Sequence, residues 1–116
     1  MGMTTERQDN ILIPTTKGLQ LEKTNNIQNI CAEGSYCELM LISGAKHMIS
    51  KNLSSLTKLL PSHTFFRIHT SVVINIAHIK EVIGTEVVMS NDCRFPIAQR
   101  RKKEFVDFLK RNSLSL

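Results

Sequence analysis

The sequence has few aromatic residues and no long apolar run, and each shortage disfavours a class of protein. It contains no tryptophan and one tyrosine, and aromatic residues make up 5% of its 116 residues. Proteins that bind single-stranded RNA stack bases on exposed aromatic rings, so that function is disfavoured. No apolar run approaches the roughly 18 residues of a membrane span, and the N-terminus lacks the basic-then-apolar pattern of a secretory signal. We therefore expect a soluble, cytoplasmic protein with no membrane partner.

The cysteines and histidines do not form a recognisable metal or catalytic pattern. Cys31, Cys37 and Cys93 are odd in number and lack Cys-x-x-Cys spacing, which predicts buried, reduced thiols rather than disulfides or a zinc site. The four histidines do not fall at metal-ligand spacings, and there is no glycine-rich phosphate loop or catalytic Cys-His or Ser-His pair. The sequence therefore predicts a protein that is not an enzyme and needs no cofactor.

The chain length predicts one domain with its own core. Residues 1–9 are polar and without periodicity, so we expect them to be a disordered leader or the remnant of a linker. Residues 10–116 are expected to form the single domain.

The net charge of +5 is concentrated in one segment. Residues 94–111 hold seven basic and two acidic residues, a net of +5, whereas residues 1–93 hold eight of each and sum to zero. A clustered basic segment is typical of a nucleic-acid-binding protein, although it could also be a solvated helix face. The basic residues are Arg94, Arg100, Arg101, Lys102, Lys103, Lys110 and Arg111.

Hydrophobic periodicity predicts a mostly β chain with two helical segments. Strands are expected at 10–14 and 19–22 (a hairpin), 27–33, 36–41 and 46–49 (a second hairpin), 80–83, 87–89 and 94–96. Leu53, Leu56, Leu59 and Leu60 recur at helical spacing, with capping side chains before them and Pro61 after them, which predicts a helix of about two turns with its leucines in the core. Residues 99–111 predict a C-terminal amphipathic helix whose apolar side is Phe105, Phe108 and Leu109.

The most informative segment is residues 65–79, which reads FFRIHTSVVINIAHI. With a period of two it places Phe66, Ile68, Val72, Ile74 and Ile76 on one face. Arg67, His69, Ser71 and Asn75 fall on the opposite, polar face.

This segment resembles the most distinctive block of the LytTR family of bacterial DNA-binding domains. That block is roughly Phe-Phe-Arg, a hydrophobic residue, His-Arg-Ser, then hydrophobic residues around an asparagine. Residues 27–36, 49–61 and 91–103 are similar to three further blocks of the family, in the same order and with similar spacing. The resemblance thus covers nearly all of the chain after the leader.

The resemblance implies a compact fold of small antiparallel β-sheets with one short middle helix and one C-terminal helix. It also implies sequence-specific binding of double-stranded DNA through loops at one edge, which enter successive major grooves. The DNA sites would be repeated, and the protein would bind them as a dimer. The family regulates transcription, usually as the output part of a two-component response regulator that follows a receiver domain. The chain would then be either a free-standing regulator or an excised C-terminal part, and a receiver or sensor would be a further partner.

Two departures from the family pattern bear on sequence preference. Thr70 stands where the family commonly has Arg, Lys or Asn, and Ala98 and Gln99 stand where it usually has Ser and Arg. Both Thr and Gln can read base edges in a major groove. The resemblance also implies a tight turn at residues 69–71, whereas unbroken alternation would predict one long strand there.

The expected DNA contacts come from the turns and from the basic segment. They are Ser35, Tyr36, Arg67, His69, Thr70, Ser71, Gln99, Arg100, Arg101, Lys102 and Lys103. Structural alternatives remain for some of these positions: His69 could satisfy a backbone group, and Tyr36 could lie in the core. Asn75 is expected to fix a turn through its own backbone, and Lys46 and His47 to lie on a hairpin surface.

Two other functions remain open at this point. The first is a β-rich protein-interaction module that keeps the fold without specific DNA binding, with Thr70 and Ala98 as lost DNA contacts. The second, disfavoured by the low aromatic content, is binding of single-stranded RNA.

Overall fold

The computed structural model describes residues 9–116, and these form three antiparallel sheets and two α-helices. Most of the leader expected at residues 1–9 lies outside the described residues. Strands β1 (Asn10–Thr15) and β2 (Gly18–Lys23) form the expected N-terminal hairpin. Its turn ends at Gly18, whose positive φ of 143° disfavours any residue with a Cβ.

A five-stranded sheet contains the middle of the chain, in the order β5-β4-β3-β7-β6. Its strands are β3 (Ile27–Glu33), β4 (Tyr36–Leu41), β5 (Lys46–Ile49), β6 (Phe65–His69) and β7 (Val72–Asn75). Strands β3 to β5 form a meander that includes the second expected hairpin, and β6 and β7 pair next to it with all neighbours antiparallel.

The short middle helix, α1 (Leu53–Thr57), packs its leucines against this sheet. Asn52 is its N-cap, and its side-chain oxygen accepts from Ser55 N at 2.8 Å. Three of the four leucines are buried, whereas Leu59 is 55% exposed. The prediction that all four lie in the core was wrong for Leu59: beyond the helix end at Thr57 the chain buries Leu60 and leaves Leu59 exposed.

The C-terminal part adds a three-stranded sheet and the last helix. Strands β8 (Ile79–Ile83), β9 (Glu86–Met89) and β10 (Arg94–Pro96) pair in the order β10-β9-β8. A 3₁₀ turn, Gln99–Arg101, then leads into α2 (Lys102–Arg111). Phe105 and Phe108 are buried on one side of α2, and both rings pack against the ring of Phe66 at 5.3 Å and 5.0 Å between centroids.

Strand β7 is buried on both faces, which corrects the alternation expected for residues 72–75. Val73 belongs to a core cluster with the α1 leucines, whereas Val72 and Ile74 belong to a second cluster with Phe105. Because β7 is an interior strand between two packed layers, its second face is core rather than a polar display.

Asn75 fixes the turn after β7, as expected, and also links that turn to β3. Its side chain accepts a hydrogen bond from Ala77 N and donates one to Ile27 O, each at 2.9 Å. The side chain is fully buried, so both backbone groups depend on it.

The cysteines are all free, but they are not all buried. Cys37 is buried, Cys31 is partly buried and Cys93 is exposed in the turn before β10. Burial raises the pKa of the Cys31 and Cys37 thiols, so both stay protonated at neutral pH. The expectation of a buried thiol was wrong for Cys93, because its turn lies outside both core clusters.

Candidate nucleic-acid interface

The turn between β6 and β7 presents the centre of the expected site. The chain reverses at Thr70 and Ser71, so the tight turn implied by the family resemblance is present and the single long strand is excluded. Thr70 is exposed, and His69 and Ser71 are half-buried beside it. The turn connects two strands that pair up to its ends.

His69 fixes this turn through one ring nitrogen. Its Nδ1 accepts a hydrogen bond from Ser71 N at 3.2 Å and lies 3.0 Å from Ser71 Oγ. The expectation that His69 satisfies a backbone group is therefore confirmed. Because Nδ1 is the acceptor, the neutral imidazole carries its proton on Nε2, and that N–H remains a donor.

Arg67 supports the same turn from the neighbouring strand. Its guanidinium donates to the backbone carbonyl of Thr70 and, at 3.0 Å, to Ser54 Oγ at the start of α1. Both terminal nitrogens are thus engaged within the domain. Sequence reasoning did not find Ser54, since it lies thirteen residues from Arg67 and no local pattern connects the two.

The turn between β3 and β4 lies beside the β6–β7 turn. Ala32 N, near the end of β3, donates to Ser71 O at 2.8 Å. Tyr36 pairs with Glu33 across the β3–β4 turn, and Tyr36 is 49% exposed. The alternative that Tyr36 lies in the core is therefore wrong, and Ser35 is exposed next to it.

The basic segment is joined to the same end of the sheet by one backbone bond. Ala98 N donates to Ile68 O at 2.8 Å, which places the 3₁₀ turn Gln99–Arg101 next to the end of β6. Gln99 and Arg100 are exposed. Within residues 9–116 neither side chain has a hydrogen-bond or ion-pair partner, so both are free to contact a ligand.

The next three basic residues differ in how much of their binding capacity is already used. Arg101 is half-buried and its Nε has no partner among the described residues. Lys102 donates to Gly84 O at 2.6 Å, which ties the start of α2 to the β8–β9 turn. Lys103 makes only an exposed pair with Asp107 at 3.4 Å, and such a pair is weak enough to exchange for a phosphate.

Three segments therefore meet at one end of the five-stranded sheet, which we call the loop edge. They are the β3–β4 turn (34–35), the β6–β7 turn (70–71) and the 3₁₀ turn Gln99–Arg101. Lys46 and His47 do not join it, because they pair with Met40 and Leu39, toward the end of β4 away from Tyr36. Their assignment to a hairpin surface agrees with this position.

Comparison with known proteins gives the family. A family model described as the LytTr DNA-binding domain matches residues 17–110. The chain belongs to this family. A search of curated proteins finds no match.

A solved structure shares the LytTr fold with this chain. It is the LytTr DNA-binding domain of a methyl-accepting/DNA response regulator from Bacillus cereus, at 22% sequence identity. The TM-score is 0.75, and the match covers 87% of this chain and 96% of that one. The expected mostly β LytTR fold, with its small antiparallel sheets and C-terminal helix, is thereby confirmed.

The described residues contain neither a membrane-spanning helix nor a metal-binding cluster. No helix within residues 9–116 is long and apolar enough to cross a membrane. In the same part of the chain, no three His, Cys, Asp or Glu side chains lie close enough together to hold a metal ion.

Proposed function

We propose that this LytTr domain is a sequence-specific regulator of transcription that binds double-stranded DNA through the loop edge. The observation that carries the proposal is the meeting of three turns at one end of the sheet, with Thr70, Gln99 and Arg100 exposed there. The segment 94–111 next to them carries a net +5. A duplex offers a dense row of phosphates with base edges between them.

The basic side chains position the protein on the DNA backbone. Arg100 has no internal partner, and Lys103 can exchange its exposed pair with Asp107 for a phosphate. Arg101 and Lys102 are half-buried, and Lys102 is bonded to Gly84 O. They therefore add positive charge near the DNA without extending far from the protein surface. Each phosphate that is neutralised releases counterions, so binding should weaken steeply as salt rises.

The short polar side chains of the loop edge read the bases. Gln99 can bind adenine with two hydrogen bonds, and Thr70 can offer a hydroxyl or a methyl group. His69 contributes its Nε2–H, since Nδ1 is held by Ser71. Ser35 and Tyr36 provide hydroxyl groups on the neighbouring turn, and the Ser71 carbonyl of the β6–β7 turn is bonded to Ala32 N near that turn.

Arg67 acts on the DNA through the turn that it holds. Its two terminal nitrogens already bind Thr70 O and Ser54 Oγ. The remaining Nε–H has no partner among the described residues but is buried, so we expect Arg67 to hold the turn rather than to bind a phosphate.

The wider setting follows from the family. We propose a bacterial, cytoplasmic, non-enzymatic regulator in which residues 10–116 form one DNA-binding domain. It binds repeated sites, with two copies on the DNA, and takes its signal from a receiver or sensor. That receiver or sensor is either a separate partner or part of a longer chain.

The test is an in vitro selection from random duplex DNA. The proposal predicts enrichment of a short motif, most clearly as two copies about one helical turn apart. The unselected pool, titrated at the same salt concentration, is the control. Tight binding without enrichment would contradict specificity, and no binding to any duplex would favour the protein-interaction module.

A further inference from the structure

The N-terminal hairpin carries apolar side chains on both of its faces. Its inner face carries Ile11 and Ile13, which pack on the core, together with the polar Gln20 and Glu22. Its outer face carries Leu12, Leu19 and Leu21, which are 58%, 71% and 64% exposed. Contiguous exposed apolar side chains on a strand pair are typical of a surface that binds a partner.

The outer face continues into a groove beside α1. Leu12 and Pro14 line one side of this groove and Leu59, 55% exposed, lines the other. Ile49 and Leu56 are also among its lining residues. The groove has a volume of about 160 Å³, which is enough for one or two apolar side chains. We call the hairpin's outer face and this groove together the leucine face.

The leucine face is surrounded by lysines without partners. Lys23 follows Leu21 on the outer side of β2, Lys17 lies in the hairpin turn, Lys51 lines the groove, and Lys58 precedes Leu59. All four are exposed, and none forms an ion pair with a carboxylate among residues 9–116. Glu22, the nearest acidic residue in sequence, lies on the inner face and accepts hydrogen bonds from Gln20 and Asn26 at 2.9 Å.

From this combination we infer that the leucine face binds an acidic protein segment. Its apolar side chains would pack on Leu12, Leu19 and Leu21, and its carboxylates would pair with the surrounding lysines. Among residues 9–116, strand β2 has a strand neighbour on one edge only, β1, so an extended segment could also bond to its other backbone edge. A second copy of this chain fits less well, because it would bring two sets of lysines together.

The site is separate from the loop edge. Strand β3 begins at Ile27, after a 3₁₀ turn (Thr24–Asn26) that follows the hairpin, and runs to Glu33 at the β3–β4 turn. At about 3.3 Å per residue this strand is roughly 20 Å long. A segment on the leucine face therefore leaves the loop edge free, and the inference does not depend on the proposed DNA-binding function.

The test uses two synthetic peptides of the same length. One alternates leucine with glutamate, and the other has lysine in place of every glutamate. Binding is followed by fluorescence anisotropy and by amide NMR shifts of the full chain. We expect the acidic peptide to bind at least tenfold more tightly and to shift the amides of Leu12, Leu19, Leu21 and Leu59.

Three variants give the controls. The double variant Leu19→Ser/Leu21→Ser should weaken binding of the acidic peptide at least tenfold without loss of fold, because both side chains lie in water. The variant Lys23→Glu/Lys51→Glu should do the same, whereas Lys110→Glu, on α2, should have little effect.

Three outcomes would overturn the inference. The first is equal affinity for the two peptides, and the second is an acidic peptide that shifts only amides of residues 94–111. The third is a dimer in sedimentation equilibrium that Leu19→Ser/Leu21→Ser converts to a monomer, since a second copy would then occupy the face.

Discussion

The guanidinium of Arg67 donates a hydrogen bond to the backbone carbonyl of Thr70, three residues later in the chain. The same guanidinium donates to Ser54 Oγ on α1. A single side chain thus links the middle helix, strand β6 and the turn that presents Thr70. Under the proposed function, this arrangement predicts that Arg67 positions the turn and does not contact DNA directly.

The first prediction concerns this positioning role. Arg67→Gln should weaken binding to a selected duplex about tenfold, because the turn loses the guanidinium that holds Thr70 O. The slope of log affinity against log salt should stay unchanged, since no phosphate contact is removed. Fluorescence anisotropy at several salt concentrations measures both quantities. A slope shallower by about one unit would show that Arg67 binds a phosphate after all.

The second prediction distinguishes a residue that contacts the DNA phosphates from a residue that reads the DNA bases. Arg100→Gln should weaken binding to selected and random duplexes alike and make the salt slope shallower by about one unit. Gln99→Ala should weaken binding to the selected duplex alone, by about 1 to 3 kcal/mol, and leave the slope unchanged. Lys110→Gln, toward the far end of α2, is the matched control. If Gln99→Ala left the preferred motif intact, Gln99 would not read a base.

The third prediction concerns stability. Asn75→Ala should lower the free energy of unfolding by about 2 to 4 kcal/mol, since Ile27 O and Ala77 N both lose a buried partner. Urea denaturation followed by circular dichroism measures the change. Asn25→Ala is the control, because Asn25 is exposed and only its backbone carbonyl is bonded, to His78. An effect of Asn75→Ala no larger than that of the control would contradict the assigned role.

The fourth prediction concerns pH. Hydrogen bonds from Asn26 and Gln20 hold the pKa of Glu22 below its usual value. A lowered carboxyl pKa stabilises the fold above the pKa of the unfolded chain, and that contribution is lost as the pH falls through the folded value. Wild type should therefore exceed Glu22→Gln in free energy of unfolding by a few tenths of a kcal/mol at pH 7. The difference should shrink below about pH 4.

The control for this pH effect is Glu104→Gln. Glu104 is exposed and its carboxylate has no hydrogen bond among the described residues. Its substitution should leave the pH dependence of unfolding close to that of wild type. A wild-type advantage over Glu22→Gln that grew as the pH fell would reverse the predicted sign.

Much of the fold could be predicted from the sequence because local signals agreed with the final packing. The hairpins, the Asn52 cap and the C-terminal helix all follow from short-range patterns of turn residues and apolar spacing. The tight turn at Thr70 was different, since alternation alone predicts a continuous strand there. Only the family resemblance indicated that turn, and the bulge at Arg67 and His69 accommodates it.

What could not be predicted depends on which elements pack together. The burial of β7 on both faces requires a second layer, built from α2 and β9 residues far along the chain. The bond from Arg67 to Ser54 and the outward leucines of β2 likewise depend on tertiary placement. The sequence indicates which residues are candidates for DNA contact. It does not indicate which of their side chains are already hydrogen-bonded, because the partners are distant in sequence, as Gly84 is from Lys102.

The most direct test of the central claim is amide NMR mapping of the full chain with a duplex taken from the selection. The largest shifts should fall on the loop edge, at Tyr36, Thr70, Gln99 and Arg100. The amides of Leu19 and Leu21 on the hairpin should stay in place. Large shifts on the hairpin, or a loop edge unmoved by a saturating duplex, would contradict DNA binding through these three turns.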